Sequence, residues 1–174
     1  MKRIPLTQGY YAIVDDADFA ALSSERWHAS RNYSGNVYAR RNAYLKGASA
    51  AVPIMMHRFI TGAKPGQIVD HINGNGLDNR RKNLRFVTVD QNRSNQGTRS
   101  ACGFKGVILA KKKRRDGSYR ISDLCWLAQI VYKGRQYKLG QYRDPADAAR
   151  AYDAKAIEFH GEYARTNASM GLLP

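Results

Sequence analysis

Near the middle of the chain the residues NRSNQGTRSA, positions 92–101, follow neither a helical nor a strand period and offer no apolar anchor. Such a stretch marks a linker or a basic arm. A chain of 174 residues interrupted there is confined to two small units rather than one large core. The expected division is a lead-in at 1–52, a first unit at 53–96, a basic linker at 97–104, a second unit at 105–167 and a tail at 168–174. A hydrophobic content of 43% is enough for packed cores on both sides.

The lead-in alternates short apolar runs, YYAIV and NVYARR, with turn residues, and ADFAALSSERW predicts a short helix carrying Phe19, Leu22 and Trp27. Arg40 and Arg41 are read as a solvated strand edge, with contact to a phosphate backbone as the alternative. In PIMMHRFIT, residues Ile54, Met55, Phe59 and Ile60 suit one buried face. QIVDHI is a brief strand ending at Asp70 and His71, followed by a glycine and asparagine loop and the strand-like NLRFVT. Thr88 with Gln91 three residues later is a capping-box pattern, which starts a helix and places Asn92 in its first turns.

Beyond the linker lie three strand candidates, FKGVILA, CWLAQIVY and QYKLGQY, the last two joined by a tight turn at Tyr132-Lys133-Gly134-Arg135. A helix follows, capped by Asp144, with Pro145 in its first position, Gly161 as its stop, and Ala149, Tyr152, Ala156 and Phe159 on one face. The fold class is therefore α+β, the second unit being a three-stranded antiparallel sheet packed on one helix. KKKRRDGSYR, between the first two strands, reads as a long basic hairpin loop.

Charge narrows the partner. Residues 1–97 hold 14 basic and 7 acidic side chains and residues 98–174 hold 15 and 7, for a net +15 and a pI near 10.1. That excess points to a polyanion. No apolar run reaches spanning length, and neither a leader nor a lipidation signal is found, so nucleic acid is expected rather than a membrane. Cys102 and Cys125 form no CxxC pair, so neither a disulfide framework nor a zinc site is expected, and the setting is a reducing cytoplasm.

Hydrolysis of a phosphodiester needs an activated water, a base to take its proton and a positive centre for the phosphate. Asp70 is suited to bind a divalent metal and His71 to act as base, since at a strand end entering a glycine loop both can face one phosphate. Asn83 is the expected acceptor that fixes the His71 tautomer, and Asn92 a second oxygen for a hard cation such as Mg²⁺. Gly74 and Gly76 let the loop turn, and Arg80, Arg81, Lys82 and Arg85 are expected to grip the strand.

The run DH-x(11)-N-x(8)-N, in VDHINGNGLDNRRKNLRFVTVDQN, resembles the HNH nucleases, the ββα-metal or His-Me finger endonucleases. The resemblance implies Asp70 and Asn92 as metal ligands, His71 as general base, Asn83 as its orienting residue, Mg²⁺ or Mn²⁺ as cofactor, and products with 3′-hydroxyl and 5′-phosphate ends. The family's name-giving last histidine is here Asn92. His57 in MHRFI resembles a recurring family position and is read as a packing or phosphate-contact residue.

GFKGVILA, CWLAQI, YKLGQY and DPADAARAYDAKAIEFHGEYARTN resemble the APETALA2/ethylene-response-factor DNA-binding domain. That resemblance implies a sheet lying in the major groove with a helix behind it. The guanine-reading arginines of the plant proteins are replaced by Ile108 and Ala110, so their readout does not carry over, while Trp126 and Gln129 keep the second-strand frame. Lys105, Lys111, Lys112, Lys113, Arg114, Arg115 and Trp126 are the expected DNA contacts of this unit.

The order of the two resemblances is like that of many phage and mobile-element endonucleases. The expected protein is a metal-dependent endonuclease acting on double-stranded DNA in a bacterial or phage-infected cell, nicking as a monomer or cutting both strands as a homodimer. The alternative is a non-catalytic, sequence-specific DNA-binding regulator. RNA binding is a third reading, suggested by eleven tyrosines suited to stacking on unpaired bases.

Overall fold

The computed structural model describes residues 1–44, 49–98, 100–111 and 124–173. The basic run Lys112, Lys113, Arg114 and Arg115, and the side chain of Lys111, lie outside them. Two compact units are formed, Met1–Thr88 and Val89–Pro174. Both mix helices and strands, as an α+β chain should. No described helix is long and apolar enough to cross a membrane.

The first unit opens with an antiparallel hairpin, β1 (Lys2–Pro5) with β2 (Tyr11–Val14), and a helix α1 (Asp16–Ser23). Ser23 and Ser24 turn their hydroxyls back onto the carbonyls of Ala20 and Ala21, which ends the helix before Trp27. Trp27 instead returns its indole N–H to the Leu22 carbonyl at 2.8 Å from within the core. A three-stranded antiparallel sheet follows, β3 (His28–Arg31), β4 (Val37–Ala43) and β5 (Val52–Met55), with β4 in the centre.

The short helix α2 (Met56–Thr61) stops at Gly62, whose φ of 62° is left-handed. Its buried residues are Met56, His57 and Ile60, whereas Phe59 is exposed, so the inward face is rotated from the expected one. Ile4, Ala12, Val14, Leu22, Trp27, Ala39, Met56 and Ile60 make one core cluster. Residues 1–52 therefore share a core with α2 instead of leading into it. β6 (Ile68–His71) and β7 (Leu84–Val87) complete the unit as an antiparallel pair.

The second unit begins with α3 (Val89–Ser94), ahead of the expected linker. Polar bonds explain the earlier division: Ser94 Oγ donates to the Tyr163 carbonyl at 3.0 Å and Arg165 Nη1 to the Asn95 carbonyl at 3.4 Å. Such contacts leave no hydrophobic period in the sequence. The sheet has the order β10 (Arg135–Tyr142), β9 (Leu124–Tyr132), β8 (Val107–Lys111), all antiparallel. Lys133 and Gly134 take φ of 48° and 76° in the β9–β10 turn, as a primed hairpin turn requires.

The helix α4 (Pro145–His160) covers one face of this sheet. Asp144 Oδ1 accepts from the Ala146 N–H at 2.8 Å, capping the helix as expected. Val107, Ala128, Ala148 and Ala149 form one core cluster, and Ile130, Tyr152 and Ala156 another. Gly106 has a φ of 74°, and a Cβ there would lie 1.9 Å from the Tyr152 ring, so the sheet and helix meet only because this residue has no side chain.

Two expected DNA contacts, Lys105 and Trp126, are engaged within the second unit. Lys105 Nζ donates to the carbonyls of Ser94 and Arg165, and burial, then the nearby Arg165, pushes its ammonium down to about 8. It is a structural cation inside the unit. Trp126 shares strand parity with Ala128 and Ile130 and packs against the Val107 cluster on the helix side of the sheet. Its alternation, not its chemistry, decides its place.

Candidate active site

Strand pairing sets the first contact of the site. Asp70 stands opposite Arg85 and His71 opposite Leu84, so the Asp-His pair lies at the end of β6 where the chain leaves the sheet. Residues 72–83 then make the loop, and its asparagines are its scaffold. Asn73 Oδ1 accepts from the Asn75 N–H at 2.9 Å, and Asn75 Oδ1 accepts from the Leu77 N–H at 3.0 Å, two successive side-chain turns. Asn73 Nδ2 donates to Asp78 Oδ2 at 2.9 Å.

Asn83 closes the loop from the far side. Its Nδ2 donates to the Asp78 carbonyl at 2.7 Å and to Asn73 Oδ1 at 3.0 Å, and its Oδ1 accepts from the Asn73 N–H at 3.0 Å. The loop is also fastened to β2, because Ile13 N donates to the Leu77 carbonyl and Asn79 N to the Ile13 carbonyl, both at 2.8 Å. Gly76 lies so close to β4 that a Cβ would fall 2.4 Å from the Val37 carbonyl and 2.6 Å from the Tyr38 ring.

His71 is 5% exposed. Its ring lies 5.0 Å from His57 and 5.9 Å from Tyr38, centre to centre, and its Nε2 is 3.4 Å from Asn79 Oδ1. The oxygen at that nitrogen was expected from Asn83, whose amide is instead engaged by the loop. Burial holds the His71 pKa below its ordinary 6.5, against the opposing pull of Asn79, Asp70 and Asp78. The ring is thus neutral at neutral pH. Burial, then His71 and Arg58, drives His57 down to about 3, and its Nδ1 is buried without a hydrogen-bond partner among the described residues. His57 packs under His71.

The basic residues are less free than expected. Arg80 clasps Asp78 at 2.6 and 2.7 Å, and that contact, before any other, holds the Asp78 carboxyl below the usual range. Arg81 pairs with Asp18 at 2.7 and 2.9 Å, and its backbone N–H donates to Asp15 Oδ2. Arg85 faces Asp70 Oδ2 at 3.3 and 3.4 Å. Each of these three guanidiniums commits donors to a carboxylate, while Lys82 is exposed and has no ion pair among the described residues.

Among the described residues, no group of three His, Cys, Asp or Glu side chains stands together as a metal cage. Asp70 offers a carboxylate 3.3 Å from Arg85, longer than the roughly 2.7–2.9 Å of a firm charge-assisted bond. A single carboxylate completed by amide oxygen, water and phosphate suits Mg²⁺ or Mn²⁺. Asn92, the other expected ligand, stands half-buried in α3, in the second unit. Sequence reasoning missed Asn79, Asp78 and Tyr38. A local signal existed only for the first two, as turn-forming residues in LDN.

Residues 55–94 match the HNH endonuclease family model. Over 155 residues the chain is 29% identical to an uncharacterized HNH endonuclease of Acanthamoeba polyphaga mimivirus, an alignment covering 86% of this chain and 74% of that protein. No solved structure matches. The matched segment holds Asp70, His71 and the whole asparagine-built loop, so the likeness to HNH endonucleases falls on the candidate site.

Proposed function

We propose that the protein is a metal-dependent DNA endonuclease in which His71 activates water, Asp70 and Asn92 hold a divalent cation, and the second unit binds the target duplex. The observation that carries this reading is His71, a buried imidazole kept unprotonated beside Asp70 at the mouth of a loop tied by side-chain hydrogen bonds. A neutral imidazole accepts a proton from water, whereas a protonated one cannot.

Asn79 Oδ1 can only accept, so the Nε2 of His71 carries the proton, the tautomer in which Nδ1 is the basic nitrogen. Asn83 and Asp78 keep the loop, and with it the ring, in register. When bound at Asp70 and Asn92, Mg²⁺ or Mn²⁺ supplies the positive charge that the scissile phosphate needs as its charge develops. The second unit resembles the APETALA2/ethylene-response-factor fold, and the +8 excess of residues 98–174 supports a duplex partner.

The test is conversion of supercoiled DNA carrying candidate targets, in Mg²⁺, in Mn²⁺ and in chelator, beside His71→Ala and Asp70→Ala. Metal-dependent open-circle or linear product, lost in both variants, is expected. Salt-sensitive binding with no cutting under any metal would replace the nuclease by a DNA-binding regulator. Undiminished cutting by His71→Ala would remove His71 as the base.

A further inference from the structure

Arg40 and Arg41 are neighbours on β4 and face opposite ways. Arg41 has the parity of the buried Ala39, lies over the rings of Trp27 and Phe59 at 5.6 and 5.7 Å, and pairs with Glu25 at 3.3 Å. Its charge is answered inside the fold. Arg40 has the parity of Tyr38, whose ring borders both His57 and His71. It is flanked across the sheet by His28 and Met55, the latter two residues before His57.

Among the described residues the Arg40 side chain makes one hydrogen bond, Nη2 to Asn42 Oδ1 at 3.3 Å, and its Nε, like that of Arg41, is buried without a partner. Among the described residues no carboxylate lies within ion-pair distance of it. The contrast with its surroundings is chemical: Arg80, Arg81 and Arg85 each face an aspartate, while Arg40 is a half-buried guanidinium that meets no carboxylate among the described residues. Leaving a buried cationic donor unanswered is costly.

Building on the nuclease reading, we infer that Arg40 holds a backbone phosphate of the strand presented to His71. Two residues along a strand place it about 7 Å from Tyr38 on the same face, close to the spacing that separates a reacting phosphate from its neighbour. The guanidinium meets the phosphate oxygens with its fork of donors, which positions the strand without reading sequence. Arg40 is a positioning residue in this role.

Duplex binding is measured against salt in chelator, and nicking with Mg²⁺, for the wild type, Arg40→Met, Arg40→Lys and Arg41→Met. Arg40→Met should lower the log-log salt slope by about 0.9, the share of one phosphate contact. Its nicking should slow by about tenfold or more, the worth of one charged hydrogen bond. Its thermal midpoint should hold or rise, because an unpartnered donor has been removed. Arg40→Lys should recover the slope, and Arg41→Met should lose thermal stability while keeping it.

If Arg40→Met nicks and binds like the wild type, or if its losses merely track a fallen midpoint, the inference is overturned while the nuclease reading stands. A wild type with no salt-dependent binding and no nicking overturns both.

Discussion

Residues 72–83 of the first unit and the sheet-helix module of the second are held in place by different means. The loop is fixed by directional bonds among Asn73, Asn75, Asp78 and Asn83, with the backbone of Ile13 as its anchor. The module is fixed by apolar contact between β8–β10 and α4, through Val107, Ala128, Ile130, Ala149 and Tyr152. Each loop bond contributes only about 1 kcal/mol, but each sets an atom's position. Apolar burial contributes more and constrains orientation less. Damage to the loop should therefore appear first in chemistry, and damage to the module first in folding.

The largest expected effect on folding is that of Gly106→Ala. The new Cβ overlaps the Tyr152 ring at a φ of 74°, combining overpacking with a left-handed backbone. A loss of about 3 kcal/mol is expected. Each unit has its own tryptophan, Trp27 and Trp126, so denaturation followed at Trp126 in a Trp27→Phe background isolates the effect. An unchanged midpoint would mean that the module has slack that its close approach denies.

Asn83→Ala tests the other side of the comparison. It removes two donated bonds and one accepted bond and leaves the Asp78 carbonyl and Asn73 amide short of partners, at a cost of about 2 kcal/mol. On the proposed nuclease function, nicking should fall by far more than the unfolded fraction accounts for, because the loop no longer holds His71 in register. Activity that merely follows the folded fraction would show that the loop tolerates looseness.

What the sequence revealed follows the same division. Asp144, Pro145 and Gly161 announce α4 because caps act within one turn, and Lys133-Gly134 announces its hairpin for the same reason. Asp70, His71 and Asn83 were legible as a spaced set. Their partners were not: Tyr38 reaches His71 from another strand, and Arg81 meets Asp18 across the unit. Lys105 reads as a solvated cation in any local window, and only the carbonyls of Ser94 and Arg165 make it internal. Contacts that span the chain have no local spelling, which is why the anatomy of the loop and the place of Trp126 had to come from the fold.

Acid should separate the two units. Unfolded, the His57 imidazole titrates near 6.5, and folded it titrates at about 3. Between those values the unfolded chain binds a proton that the folded unit rejects, so stability present above pH 6.5 is lost as pH falls toward 3. At pH 5 the loss from this residue is about 2 kcal/mol. Denaturation at pH 7 and pH 5, followed at Trp27 in a Trp126→Phe background, should show it, and His57→Phe should reduce it. The same pH step read at Trp126 should be smaller, and an equal fall would mean that the acid response does not originate at the histidine pair.

Asp144→Ala should have the smallest effect. The carboxylate caps α4 through a single bond to the Ala146 N–H, and Pro145 already sets the first helical dihedral, so about 1 kcal/mol should be lost from the second unit. Because Asp144 touches neither the loop nor His71, the nicking rate at saturating protein should stay at the wild-type value while the denaturation midpoint read at Trp126 falls. A fall in nicking rate at saturation, with both units folded, would show that the cap of α4 acts on the reaction itself and would break the separation of roles between the two regions.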